Sequence, residues 1–91
     1  MFVSAVAVWE VAIKQSLGKL SAIPNLLDVV EESGFASLPV TLRHGVAAGA
    51  LPLHHRDPFD RMLIAQAQIE ELTIVTHDRA FADYDVAVLP A

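Results

Sequence analysis

The sequence contains no cysteine, which excludes disulfides and thiolate zinc sites. Cations are scarce: six lysines and arginines face eleven aspartates and glutamates, for a net charge of −5. That balance argues against holding a nucleic acid through a broad basic surface, so phosphates would have to be neutralised locally, for instance by bound cations. No apolar run approaches the roughly 20 residues of a membrane-spanning helix. The first cationic side chain is Lys14, so the basic region of a signal peptide is absent, and a cytoplasmic protein is the expectation. Internal repeats and low-complexity segments are absent too.

What is present is apolar. Hydrophobic residues make up 54% of 91 positions, with a mean hydropathy of +0.46. A chain of this length makes one small domain, 1–91, and buries only about 60% of its unfolded surface. The apolar excess therefore points to buried strands, a covered interface, or both.

Apolar β-branched runs alternate with stretches of helical period. Phe2–Val6 reads as a strand, Ala7–Leu17 as a helix stopped by Gly18, and a second helix runs from Pro24 to Gly34. Phe35–Val40 reads as a strand with Pro39 at its margin, and Thr41 caps a helix to about Leu51. After the loop Leu51–Arg56, Asp57-Pro58-Phe59-Asp60 is the clearest helix start: Asp57 suits the cap, Pro58 the first turn, and Asp60 a position where negative charge favours the macrodipole. That helix is expected to about Glu71, then a strand Leu72–Thr76, a short helix Asp78–Tyr84 and a strand Val86–Leu89. The order β-α-α-β-α-α-β-α-β implies an α/β fold with a mostly parallel sheet flanked by helices.

Ligands of open parallel sheets gather at the C-terminal strand ends. Asp78 follows one strand by two residues, Glu10 follows another by about one helical turn, and Asp60 begins the helix feeding the Leu72 strand. Carboxylates converging there would favour a hard cation such as Mg²⁺ or Mn²⁺. Each also has a plainer role: Asp57 as a cap, Asp60 as a dipole partner, Asp78 as the cap of a short helix, and Glu10 as an i, i+4 partner of Lys14. His44, His54, His55 and His77 lack the spacing of a helical zinc pair. Trp9 reads as core or interface, and Asp83 and Asp85 as solvent-facing.

Three stretches carry a resemblance. Ser4-Ala5-Val6-Ala7-Val8-Trp9-Glu10-Val11-Ala12-Ile13-Lys14 with Leu17-Gly18-Lys19-Leu20, Leu53-His54-His55-Arg56-Asp57-Pro58-Phe59-Asp60-Arg61-Met62-Leu63-Ile64-Ala65-Gln66-Ala67, and Leu72-Thr73-Ile74-Val75-Thr76-His77-Asp78 with Ala80-Phe81 resemble three acidic motifs of VapC-type PIN-domain ribonucleases. These are the toxins of type II toxin–antitoxin systems. The resemblance implies a Mg²⁺- or Mn²⁺-dependent endoribonuclease acting on tRNA or rRNA, with Glu10, Asp60 and Asp78 as catalytic metal-binding residues. Asp57, Thr76 and Arg61 are weaker candidates beside them. It also implies a homodimer and inhibition by a VapB-like antitoxin. The family pattern opens with a strand ending in aspartate, central in the sheet, which this sequence lacks. The expectation is therefore an N-terminally truncated PIN-like domain with little Mg²⁺-dependent RNase activity of its own. The competing readings are a non-catalytic remnant that binds an antitoxin or another PIN chain, and an unrelated small α/β binding module.

Overall fold

Ser4 sets the first transition from strand to helix. Its hydroxyl accepts the Val6 N–H at 3.1 Å, so the strand β1 ends at Ser4 and helix α1 occupies Ala5–Ser16. The sequence pattern places this junction two residues later; a side-chain cap outweighs the strand preference of Val6. A computed structural model describes residues 1–19, 24–54, 57–76 and 79–89, with only the backbone of Arg79 and Ala80. These residues fall into two compact units, Met1–Pro39 and Val40–Ala91.

In the first unit, β1 (Phe2–Ser4) pairs in parallel with β2 (Ala36–Leu38), in the register Phe2 to Ala36 and Ser4 to Leu38. Helix α1 closes on Gly18 as its sequence suggests. Gly18 adopts φ 73°, its N–H reaches the Gln15 carbonyl, and the Lys19 N–H reaches that of Lys14 at 2.9 Å. This pair of bonds is the Schellman motif, which satisfies the last helical carbonyls. Helix α2 spans Leu26–Glu32. Pro24 does not enter its first turn, because Asn25 intervenes in the left-handed conformation and places the proline in the preceding turn. Val6 is the one large apolar side chain of this unit that is fully buried among the described residues. Leu17 lies exposed, and Trp9, at 59% exposure, is no core residue of this chain.

The second unit opens with α3 (Leu42–Ala50) and α4 (Pro58–Glu70), followed by β3 (Ile74–Val75), a 3₁₀ helix (Arg79–Asp83) and β4 (Val88–Leu89). Strands β3 and β4 are parallel, with Ile74 opposite Val88 and Val75 opposite Leu89. Ile64, Phe81 and Tyr84 form the buried cluster, and Leu51, Leu63, Ile74, Val86 and Val88 pack against it. Helix α4 ends at Glu71, a non-glycine residue at φ 55°, where the chain turns into β3. The expected parallel pairing is thus present in two short sheets. The strands are shorter than their apolar runs, since caps and turns take the flanking residues. No helix among the described residues is long and apolar enough to cross a membrane.

Candidate functional site

Asp57 and Asp60 divide the work at the start of α4. The Asp57 carboxylate accepts the N–H of Phe59 at 2.9 Å and that of Asp60 at 3.3 Å. Pro58 occupies the first helical turn, where its missing N–H costs nothing. Asp57 is therefore the cap that its sequence suggests. Asp60 sits half-buried in the first turn, where the helix dipole favours its negative charge. Asp57 thereby fixes the backbone that carries Asp60.

Arg61, the next residue, is engaged by its own chain. Its Nη1 donates to the Pro52 carbonyl at 3.0 Å, and its Nη2 donates to those of Ala48 and Leu51 at 2.9 and 3.0 Å. These carbonyls lie at and just beyond the C-terminus of α3, where helical acceptors need outside donors. The Tyr84 hydroxyl donates to the same Pro52 carbonyl at 2.8 Å. Thr76 directly follows β3, and its N–H extends the ladder to the Leu89 carbonyl at 3.0 Å.

Glu10, in the first unit, lies on α1 with its carboxylate 3.0 Å from the Lys14 ammonium. The helical i, i+4 pair read from sequence is thus formed; with side-chain exposures of 20% and 47% it is a surface pair of modest strength. Asp78 lies outside the described residues, as do His55 and His77. Among the described residues, no group of three or more His, Cys, Asp or Glu is placed to hold a metal ion. The donor chemistry of Glu10 and Asp60, carboxylate oxygen alone, fits a hard divalent cation.

His44 was legible only as a weak zinc candidate, and the structure gives it another task. It is wholly buried, and its N–H donates to Thr41 Oγ1 at 3.2 Å while its Nδ1 accepts the Thr41 N–H at 3.0 Å. This is a capping box with histidine in place of the usual glutamate or glutamine. With Nδ1 accepting, Nε2 carries the proton and donates to Glu70 at 2.9 Å. The Thr-x-x-His spacing was the signal available. Tyr84 and Pro52, 32 residues apart, had none.

A family model describes the class to which this arrangement corresponds: the PIN domain matches residues 1–87. The chain belongs to the PIN-domain family. Membership points to a nuclease-type function, since PIN domains in general depend on divalent metal and bind nucleic acid. Neither curated proteins nor solved structures give a significant match.

Proposed function

We propose that the chain is a Mg²⁺- or Mn²⁺-dependent endoribonuclease of the VapC type, with Glu10, Asp60 and Asp78 as its metal-binding carboxylates. The observation that carries this reading is the Asp57-capped turn, which holds the half-buried Asp60 at a fixed place in a PIN domain. Ile74 of β3 packs against the cluster that contains Ile64 of α4, which lays that strand against the helix that Asp60 opens. When bound, a divalent cation polarises a phosphoryl oxygen and lowers the pKa of its water. In this reading the carboxylates hold the cation, and Asp57 keeps Asp60 in place. The cellular role is that of a VapBC-type toxin, with tRNA or rRNA as substrate, a VapB-like antitoxin as partner, and a homodimer as the working state.

The test is a Mn²⁺ titration followed by tRNA cleavage, on the wild type and on Asp60→Asn and Glu10→Gln. Loss of Mn²⁺ binding by at least about tenfold in each variant is expected, with any cleavage abolished by Asp60→Asn. Equal Mn²⁺ binding by the wild type and Asp60→Asn would refute the metal site.

One observation favours a second reading, a non-catalytic PIN chain that binds an antitoxin or another PIN chain. The first unit carries an open groove of about 370 Å³ lined by Val3, Val8, Leu27, Val30 and Phe35 among others. Apolar surface of this kind marks interaction sites. Cleavage by the purified chain that disappears in Asp60→Asn decides against it.

A further inference from the structure

The guanidinium of Arg61 lies one residue from Asp60, yet it is turned to backbone. Three carbonyls of the segment 48–52 receive its protons. The Pro52 carbonyl is shared with Tyr84, whose side chain is 6% exposed and belongs to the buried cluster with Ile64 and Phe81. Tyr84 is itself joined to the 3₁₀ helix, its N–H donating to the Phe81 carbonyl. One acceptor thus ties together the first turn of α4, the loop leaving α3, and the segment that follows Asp78 in the sequence. The Arg61 N–H also donates to the Asp57 carbonyl at 3.0 Å, so its backbone belongs to the first turn of α4 while its side chain holds the end of α3.

We propose that Arg61 and Tyr84 are positioning residues, which through the Pro52 carbonyl fix the backbone bearing Asp60 and so set the affinity of the metal site. The proposal rests on the reading of Asp60 as a metal ligand. Arg61 acts here as a donor fork closing α3, a geometry that a lysine ammonium does not reproduce. Its role is distinct from that of a cation touching RNA phosphate.

Tyr84→Phe removes one hydroxyl from an otherwise unchanged ring, and Arg61→Lys keeps the charge while losing the fork. Three quantities decide the matter in the full chain: the Mn²⁺ Kd, the RNA affinity in EDTA, and hydrogen exchange at the Phe59 and Asp60 amides. Both variants should raise the Mn²⁺ Kd by about fivefold or more, as loss of outer hydrogen bonds does at metal sites. Exchange at the two amides should quicken about as much, and RNA affinity in EDTA should change by less than about twofold. An unchanged Mn²⁺ Kd in both variants, in a chain whose Mn²⁺ binding is lost in Asp60→Asn, overturns the positioning role and leaves the metal site standing. Weaker RNA binding in EDTA by Arg61→Ala, with Mn²⁺ affinity and amide exchange intact, overturns it in favour of a phosphate contact. If the wild type binds no Mn²⁺, both the metal reading and this proposal fall.

Discussion

The buried His44 and the partly exposed Glu70 are joined by a 2.9 Å hydrogen bond across 26 residues of sequence. The bond links the first turn of α3 to the last turn of α4, and Gln66, also buried, lies 3.4 Å from the same imidazole. At the other end of the helix pair, Arg61 of α4 holds the closing carbonyls of α3. The two helices are therefore fastened at both ends by polar groups.

His44→Ala should accordingly be among the most damaging single changes. It strips the Thr41 N–H of its acceptor and empties a fully buried site. A cost of about 2–3 kcal/mol is expected from the unsatisfied donor and the cavity together. A urea midpoint that barely moves would show that the imidazole is dispensable.

Replacement of Asp57 distinguishes a cap from a ligand. Asp57→Ala should cost about 1 kcal/mol in urea unfolding, and Asp57→Ser should recover most of that. With Asp57 acting only as a cap, Asp57→Ser leaves Mn²⁺ affinity within about twofold of the wild type. A tenfold loss would move Asp57 into the metal site.

The pair of Glu10 with Lys14 yields a prediction of opposite sign. Lys14→Met should alter stability by less than about 0.5 kcal/mol, as expected for an exposed helical pair. It should tighten Mn²⁺ binding by about threefold, because a competing cation is removed from the carboxylate. Weaker Mn²⁺ binding instead would mean that Lys14 orients Glu10 for the metal.

Gly18 isolates a purely backbone effect. A Cβ added there meets nothing within 4 Å, so Gly18→Ala should destabilise only through the left-handed conformation at φ 73°. About 1 kcal/mol is expected, read as a shift in thermal midpoint.

Local chemistry was legible in the sequence. The Thr41 and Asp57 caps, the Gly18 stop and the parallel pairing all follow from short-range rules, and the structure shows each of them. Boundaries were less legible where two local rules compete, as at Ser4, where a hydroxyl cap overrides a β-branched run. Pro24 misleads for a similar reason, since Asn25 takes the cap in a left-handed conformation that no neighbouring residue signals. The task of Arg61 was not legible at all. An arginine beside a candidate ligand looks like a contact to substrate, and only the tertiary placement of Ala48, Leu51 and Pro52 shows where its donors go. For the carboxylates, sequence spacing supplies candidates only, because bringing them to one site is a matter of packing between segments far apart in the chain.

The engagement of Arg61 also bears on ionic strength. Of the six cationic side chains, Arg61 is held by carbonyls and Lys14 by Glu10, so at most four others meet a polynucleotide. Each phosphate neutralised on a single strand contributes about −0.7 to the slope of log K against log salt, so the whole chain should show a slope no steeper than about −3. Anisotropy titrations of labelled RNA across a salt series measure it directly, and a steeper slope would mean that one of the engaged cations lets go of its partner on binding. At that limit a fourfold rise in salt costs about fiftyfold in RNA affinity, well short of the roughly thousandfold or more lost by proteins that make six to ten phosphate contacts.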